Sequence, residues 1–286
     1  MRARAVAACA ALLLGLAAGV SARADDQLHQ EEAQIGAQEY ALLEQKGEII
    51  ARPNSLYDVL DPIAHRIAAV ADPQYDFPFH FILVHETQPN AFAVPGGNVY
   101  VTDSLMHFVQ NYEELSGVLC HETSHDIHHD VVNNMAKDQT VGTLIDLLGA
   151  LTGASKSGIG QLGENVVYTL QSDTFSREVE HNADQKGAIT CAQAGINPWG
   201  MIWLFKNFEK ADTGGAMEAL SDHPTDTHRI SDLENEFRAD PALFGRYSSN
   251  MATATPLTGV PRTPRSAPPT AKPRPKAPYC CAPPSH

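Results

Sequence analysis

The run Cys120-His121-Glu122-Thr123-Ser124-His125 constrains this chain more than any other stretch. It is an H-E-x-x-H motif, and Glu113 to Leu119 before it read as helix. Residues four apart on a helix share a face. His121 and His125 therefore offer two imidazoles to one point, which suits a tetrahedral zinc. Glu122, beside the first of them, is placed to take a proton from an attacking water and return it to a leaving amine. Two histidines do not complete such a site. A third protein ligand and an open fourth position are needed, so the fold must bring a second element across the motif helix.

The candidate element is Ser176-Arg177-Glu178-Val179-Glu180-His181-Asn182-Ala183-Asp184-Gln185-Lys186-Gly187. Glu180, Asp184 and Gly187 fall on one helical face. Glu180 can reach a metal there, and Asp184, one turn later, can hold a metal-binding histidine from behind. Ala183 and Gly187 are small enough to let two helices approach. An ordinary acidic, solvated helix face has the same spacing, so the pattern alone leaves both readings open. His181 points about 100° away from Glu180 and is not a ligand. His128 and His129 read as surface residues one turn beyond the motif.

Both ends differ from the body. Residues 1–24 have a basic start, an apolar stretch and Ala22-Arg23-Ala24, which reads as a secretory signal peptide. Residues 251–286 are rich in Pro, Ala and Thr, with five basic residues and no acid. That composition reads as a disordered basic tail. The body, residues 25–250, keeps 12 of the 20 basic residues and all 34 acidic ones. An acidic body argues against nucleic acid as a partner. No transmembrane segment is expected after signal removal. Cys120 and Cys191 lie in the body, and a disulfide between them or two buried thiols fit equally.

Periodicity predicts helices over Gln27–Ile50 and Tyr57–Val70, and a strand over Phe79–Val84. Two extended pieces flank Pro95-Gly96-Gly97, with Val94 to Thr102 read as an edge strand. A short helix starts at Asp103, and the motif helix runs over 113–130. Residues 131–170, punctuated by glycines, are either helices with a lid or an ordinary connection. Helices follow over Ser176–Ala194, Pro198–Phe208 and Thr225–Phe237.

Four blocks, in order, carry a family resemblance. They are Asn90-Ala91-Phe92-Ala93-Val94-Pro95-Gly96-Gly97, the segment from Glu114 to His125, the segment from Ser176 to Gly187, and His223-Pro224 followed by Arg229-Ile230. The chain resembles the zinc metalloendopeptidases of the HtpX, BepA and CAAX prenyl protease type, on the soluble, exported BepA-like branch. The resemblance implies an α+β fold: a mostly helical zincin-like domain with a small mixed or antiparallel sheet whose edge strand borders the cleft. It implies one zinc per chain on His121, His125 and Glu180, with Asp184 behind them. Glu122, His223 and Arg229 would be catalytic, with Glu122 as general base. Asn90, Ala91, Phe92, Ala93, Val94, Gly96 and Gly97 would bind substrate polypeptide as an added strand. Quality control of envelope proteins, with outer-membrane assembly partners, is the implied role. A latent or non-catalytic, chaperone-like protein on the same fold is the alternative. One departure stands out: where relatives usually carry Arg-His after the motif, this chain has His129-Asp130.

Overall fold

The computed structural model describes residues 26–137, 175–211 and 227–260. Helix α1 covers 26–46 and α2 covers Ser55–Ala71. A sheet follows: β1 (His80–Val84), β2 (Ala91–Val94) and β3 (Asn98–Thr102). Then come α3 (Asp103–Phe108), α4 (Tyr112–Ile127) and α5 (Asp130–Lys137). Helices α6 (Arg177–Gln193), α7 (Trp199–Ala211), α8 (Thr227–Ala239) and α9 (Pro241–Phe244) complete the domain. The mixed, mostly helical architecture matches the α+β expectation.

The strand order is β1-β3-β2, with β3 parallel to β1 and antiparallel to β2. This corrects the expected edge strand. β3 is central and β2 lies at the edge, pairing with β3 alone among the described residues. Three short apolar stretches of similar composition carry no signal that orders them.

Local chemistry sets the helix that matters most. Asn111 caps α4 by accepting from the Glu114 N–H at 2.8 Å, and Glu114 returns the favour by accepting from the Asn111 amide at 2.8 Å and the Gln110 N–H at 2.7 Å. This varies the capping box: Asn is the cap, and Glu114 answers its side chain and the backbone of the residue before it. Glu114 also accepts from Asn207 on α7 at 2.8 Å, which ties the start of α4 to its neighbour. One core, built on Leu60, Ile63 and Ile67 of α2, packs Leu115 and Leu119 of α4 against Leu83, Val99 and Val101 of the sheet. A second core joins α6, α7 and α8 through Ala188, Met201, Ile202, Phe205, Leu233 and Phe237. Between these cores α4 buries Glu122, Thr123, Ser124 and Asp126 as well as both histidines. A helix serving only packing would not bury so many polar groups.

Several boundaries shift from expectation. α1 ends at residue 46, because Gly47 takes φ 72° and Glu48 N–H bonds back to Leu43. That leaves Ile49 free to form a bridge with Val84. The motif helix stops at Ile127, short of residue 130. At the other end the chain does not leave the body at Met251. Tyr112 N–H bonds to the Thr255 carbonyl, Thr255 bonds to both oxygens of Glu113, and Leu257 and Val260 enter the main core. Two apolar side chains among the prolines are enough to dock this stretch. The expected signal segment, most of the glycine-rich connection and residues 261–286 lie outside the described residues. Among the described residues, no helix is long and apolar enough to cross a membrane.

A disulfide joins Cys120 on α4 to Cys191 on α6 and resolves the two cysteine readings. It fastens the two helices that carry the site.

One buried acid makes stability depend on pH. Glu39 on α1 is 2% exposed, and among the described residues neither carboxylate oxygen has a hydrogen-bond partner. Burial pushes its carboxyl up to about 7, with Lys46 opposing and Glu48 adding to the shift. The folded state therefore holds a proton that the unfolded chain, at an ordinary 4.5, has released. The stabilising contribution is full below the unfolded value and is lost as pH rises through about 7. Glu39→Gln should flatten this slope, by on the order of 3 kcal/mol between pH 4.5 and 8. Urea unfolding of both proteins across that range checks it. Parallel stability curves would show that Glu39 does not titrate as described.

Candidate metal centre

α4 and α6 cross closely enough to bring their polar faces together. Gly187 makes this possible: a Cβ added there would lie 2.9 Å from the Cys120 carbonyl oxygen and 3.0 Å from the His121 Cα. At the crossing, His121, His125 and Glu180 each present one ligand atom, and these atoms lie within 4.8 Å of one another. The two Nε2 atoms are 3.1 Å apart. Glu180 oxygens stand 3.5 Å from His121 Nε2 and 3.7 Å from His125 Nε2. All three residues are buried.

The tautomers follow from the opposite ring edges. His121 Nδ1 is 2.9 Å from Asp184 Oδ1, and His125 Nδ1 is 2.9 Å from Asp130 Oδ2. Each carboxylate draws the ring proton to Nδ1 and leaves a lone pair on Nε2. Two lone pairs then face each other across 3.1 Å, beside a carboxylate, in a buried space. That arrangement calls for a cation. Two imidazoles and one carboxylate are a donor set for zinc with a fourth position left open. The residues fit the metal.

Charge is balanced from behind. Arg229 donates from Nε and Nη2 to the two oxygens of Asp184, both at 2.7 Å, and its Nη1 lies 3.0 Å from Glu180 Oε2. Burial works against ionising Asp184, but Arg229 and His121 hold its carboxyl below the usual range. Burial works against positive charge on the His121 ring, but hydrogen bonds to Asp184 and Glu180 favour it, and a metal cation at Nε2 supplies that charge in place of a second proton. Arg229, expected among the catalytic residues, is thus placed on the ligand Glu180 and on Asp184 behind His121. Its guanidinium also sits over the Phe205 ring, 4.5 Å from the centroid.

Glu122 faces the sheet. Its Oε2 accepts the Ala93 N–H of β2 at 3.1 Å. In the β2–β3 ladder, Asn90 bonds to Thr102 across the pair, so the backbone groups of Ala91 and Ala93 point the other way, off the sheet edge. The segment expected to meet substrate therefore borders Glu122. Its far end is pinned, since Gly96 N–H donates to the Tyr75 hydroxyl at 3.1 Å. Phe92 turns to the other sheet face and stacks on Tyr100. His223 lies outside the described residues. His181 turns to Asp232 on α8, at 3.5 Å.

Two residues escaped the sequence reading. Spacing gives Asp130 no role, and it puts His129 on the surface. Instead His129 takes a left-handed φ of 55°, with its Nδ1 2.7 Å from Glu32 Oε1 of α1, an acid that is 1% exposed. An Asp five residues past a ligand has no fixed helical relation to it, so spacing offered no signal.

A sequence profile of peptidase family M48 matches residues 54–237, which include the whole cradle. The chain belongs to peptidase family M48. Among its relatives, the mitochondrial metalloendopeptidase OMA1 of Schizosaccharomyces pombe is 28% identical over 184 residues, covering 64% of this chain and 52% of the relative. The beta-barrel assembly-enhancing protease of Yersinia pestis is 30% identical over 188 residues, covering 63% and 38%. A putative protease of that name from Vibrio cholerae is 26% identical over 238 residues, covering 80% and 48%. The chain spans about half the length, or less, of these M48 relatives.

Proposed function

We propose that this M48 chain is a zinc-dependent metalloendopeptidase of the cell envelope that cleaves unfolded or misassembled polypeptides. The observation that carries the reading is the 3.1 Å contact between Glu122 and the Ala93 N–H, which sets a base against the outer strand of the sheet beside a three-donor metal cradle. Zinc, when bound, polarises the scissile carbonyl and makes the attacking water more acidic. His121, His125 and Glu180 would hold it. Glu122 takes the proton from that water and gives it to the leaving amine. The Ala93 N–H is taken by Glu122, and the remaining outward backbone groups of Ala91 and Ala93 would pair with an extended peptide, which binds as an added strand. His223 completes the proposed catalytic set as a donor to the developing oxyanion.

Main-chain pairing demands an extended segment and reads few side chains. It therefore selects unfolded chains over folded ones. Export is supported by the N-terminal segment 1–24 and by the Cys120–Cys191 disulfide, which persists in oxidising compartments. The names of the Yersinia and Vibrio relatives support beta-barrel assembly as the setting. The intact Glu122 counts against a purely non-catalytic, chaperone-like role. Digestion of one protein in two forms tests the selectivity. Reduced, unfolded substrate should be cut at internal bonds while its native form survives. Equal cleavage of both, or trimming from the ends alone, would contradict the reading.

A further inference from the structure

We propose that Asp130 is a positioning residue for the metal centre: its carboxylate sets the His125 ring so that Nε2 faces the metal. This rests on reading His121, His125 and Glu180 as the metal cradle. The two ligand rings are held alike, each by a carboxylate 2.9 Å from Nδ1, but the carboxylates come from different places. Asp184 stands on α6, one turn beyond the ligand Glu180. Asp130 is the first residue of α5, past the end of the motif helix.

Were α4 to continue, Asp130 would lie about 140° around the helix from His125 and could not reach it. The break at His129 changes its direction. His128 ends α4, His129 turns left-handed, and Asp130 folds back beneath His125. A histidine takes that backbone conformation only where its surroundings hold it. Here the holder is Glu32, so helix α1 secures the corner that aims Asp130. The face of the His125 ring is covered as well, by Phe175 at 4.4 Å between centroids and 12° between planes. Asp130 on the edge and Phe175 on the face leave the ring one orientation. The Asp130 side chain is 13% exposed, so water competes little for its oxygens.

A simpler role exists, since an acid in the first turn of α5 also favours that helix through its dipole. The two roles predict different results. Zinc affinity of the full chain is measured by chelator competition for wild type, Asp130→Ala and Asp130→Asn, with thermal unfolding of the zinc-free forms alongside. Nitrogen-15 NMR of the histidine rings reports which His125 nitrogen carries the proton. Asp130→Ala should bind zinc about 10–100-fold more weakly, as lost partners of metal-binding histidines typically do. Asp130→Asn keeps an acceptor oxygen without the charge and should fall at the lower end of that range. Wild-type His125 should carry its proton on Nδ1, and Asp130→Ala should lose that single signature. If Asp130→Ala does not fold, the Asn variant decides. Both variants within about twofold of wild type, with an unchanged His125 signature, would overturn the proposal and leave only the helix-start role. A wild type that takes up no stoichiometric zinc would overturn the cradle reading, and this proposal with it.

Discussion

Glu122→Gln should retain one zinc per chain and lose hydrolysis by about 10²–10⁴-fold in kcat, the usual effect of removing a general base. The substitution preserves shape. Glu122 is 2% exposed and touches β2 through the Ala93 N–H, and an amide oxygen can accept that bond equally well. It is not among the three converging donors, so the cradle stays intact. What disappears is a group that can take a proton. The loss should therefore fall on kcat, with KM little changed, because peptide binding draws on the strand edge. Zinc analysis and steady-state kinetics on the same preparation check this. Turnover equal to wild type would assign the proton transfer to another group.

Arg229→Met should destabilise the zinc-free protein by about 3–5 kcal/mol, the range for breaking a buried ion pair from one side. Arg229 is 6% exposed and serves two acids, Asp184 and Glu180, each about 1% exposed. Without it, two carboxylates stand buried beside each other with only the histidines to answer them. Lysine is a poor substitute, since the two 2.7 Å bonds to Asp184 use the fork of the guanidinium. Adding Asp184→Asn to Arg229→Met should recover part of the loss by removing one orphaned charge. Denaturant unfolding of the single and double variants measures that coupling. Additive losses would mean that Arg229 acts through its packing on Phe205 and not through the pair.

Much of the centre could be read from spacing. His121 and His125 are four apart, and Glu180 and Asp184 repeat that interval on a second helix, so periodicity alone placed the pairs on two faces. Gly187 signalled the close crossing. What spacing could not show depends on a break in the chain or on contacts between distant segments. Asp130 reaches His125 only because His129 leaves the helix, and His129 does so against a partner some hundred residues earlier, Glu32. Composition misjudged the C-terminal boundary, since prolines hid the docking of Thr255, Leu257 and Val260. The sheet order was hidden for another reason: three short apolar strands look alike in sequence, and their places show only in what they pack against, β1 on α2 and β2 on α4.

The central claim is that a single zinc in the cradle of His121, His125 and Glu180 enables this chain to cut polypeptides. The most direct measurement titrates zinc into metal-free protein while following both bound metal and cleavage of unfolded casein. Activity should rise in step with bound zinc and level off at one ion per chain, and Glu180→Ala should lose both together. Full cleavage by the metal-free protein, or zinc bound at one per chain in Glu180→Ala with activity intact, would contradict the account.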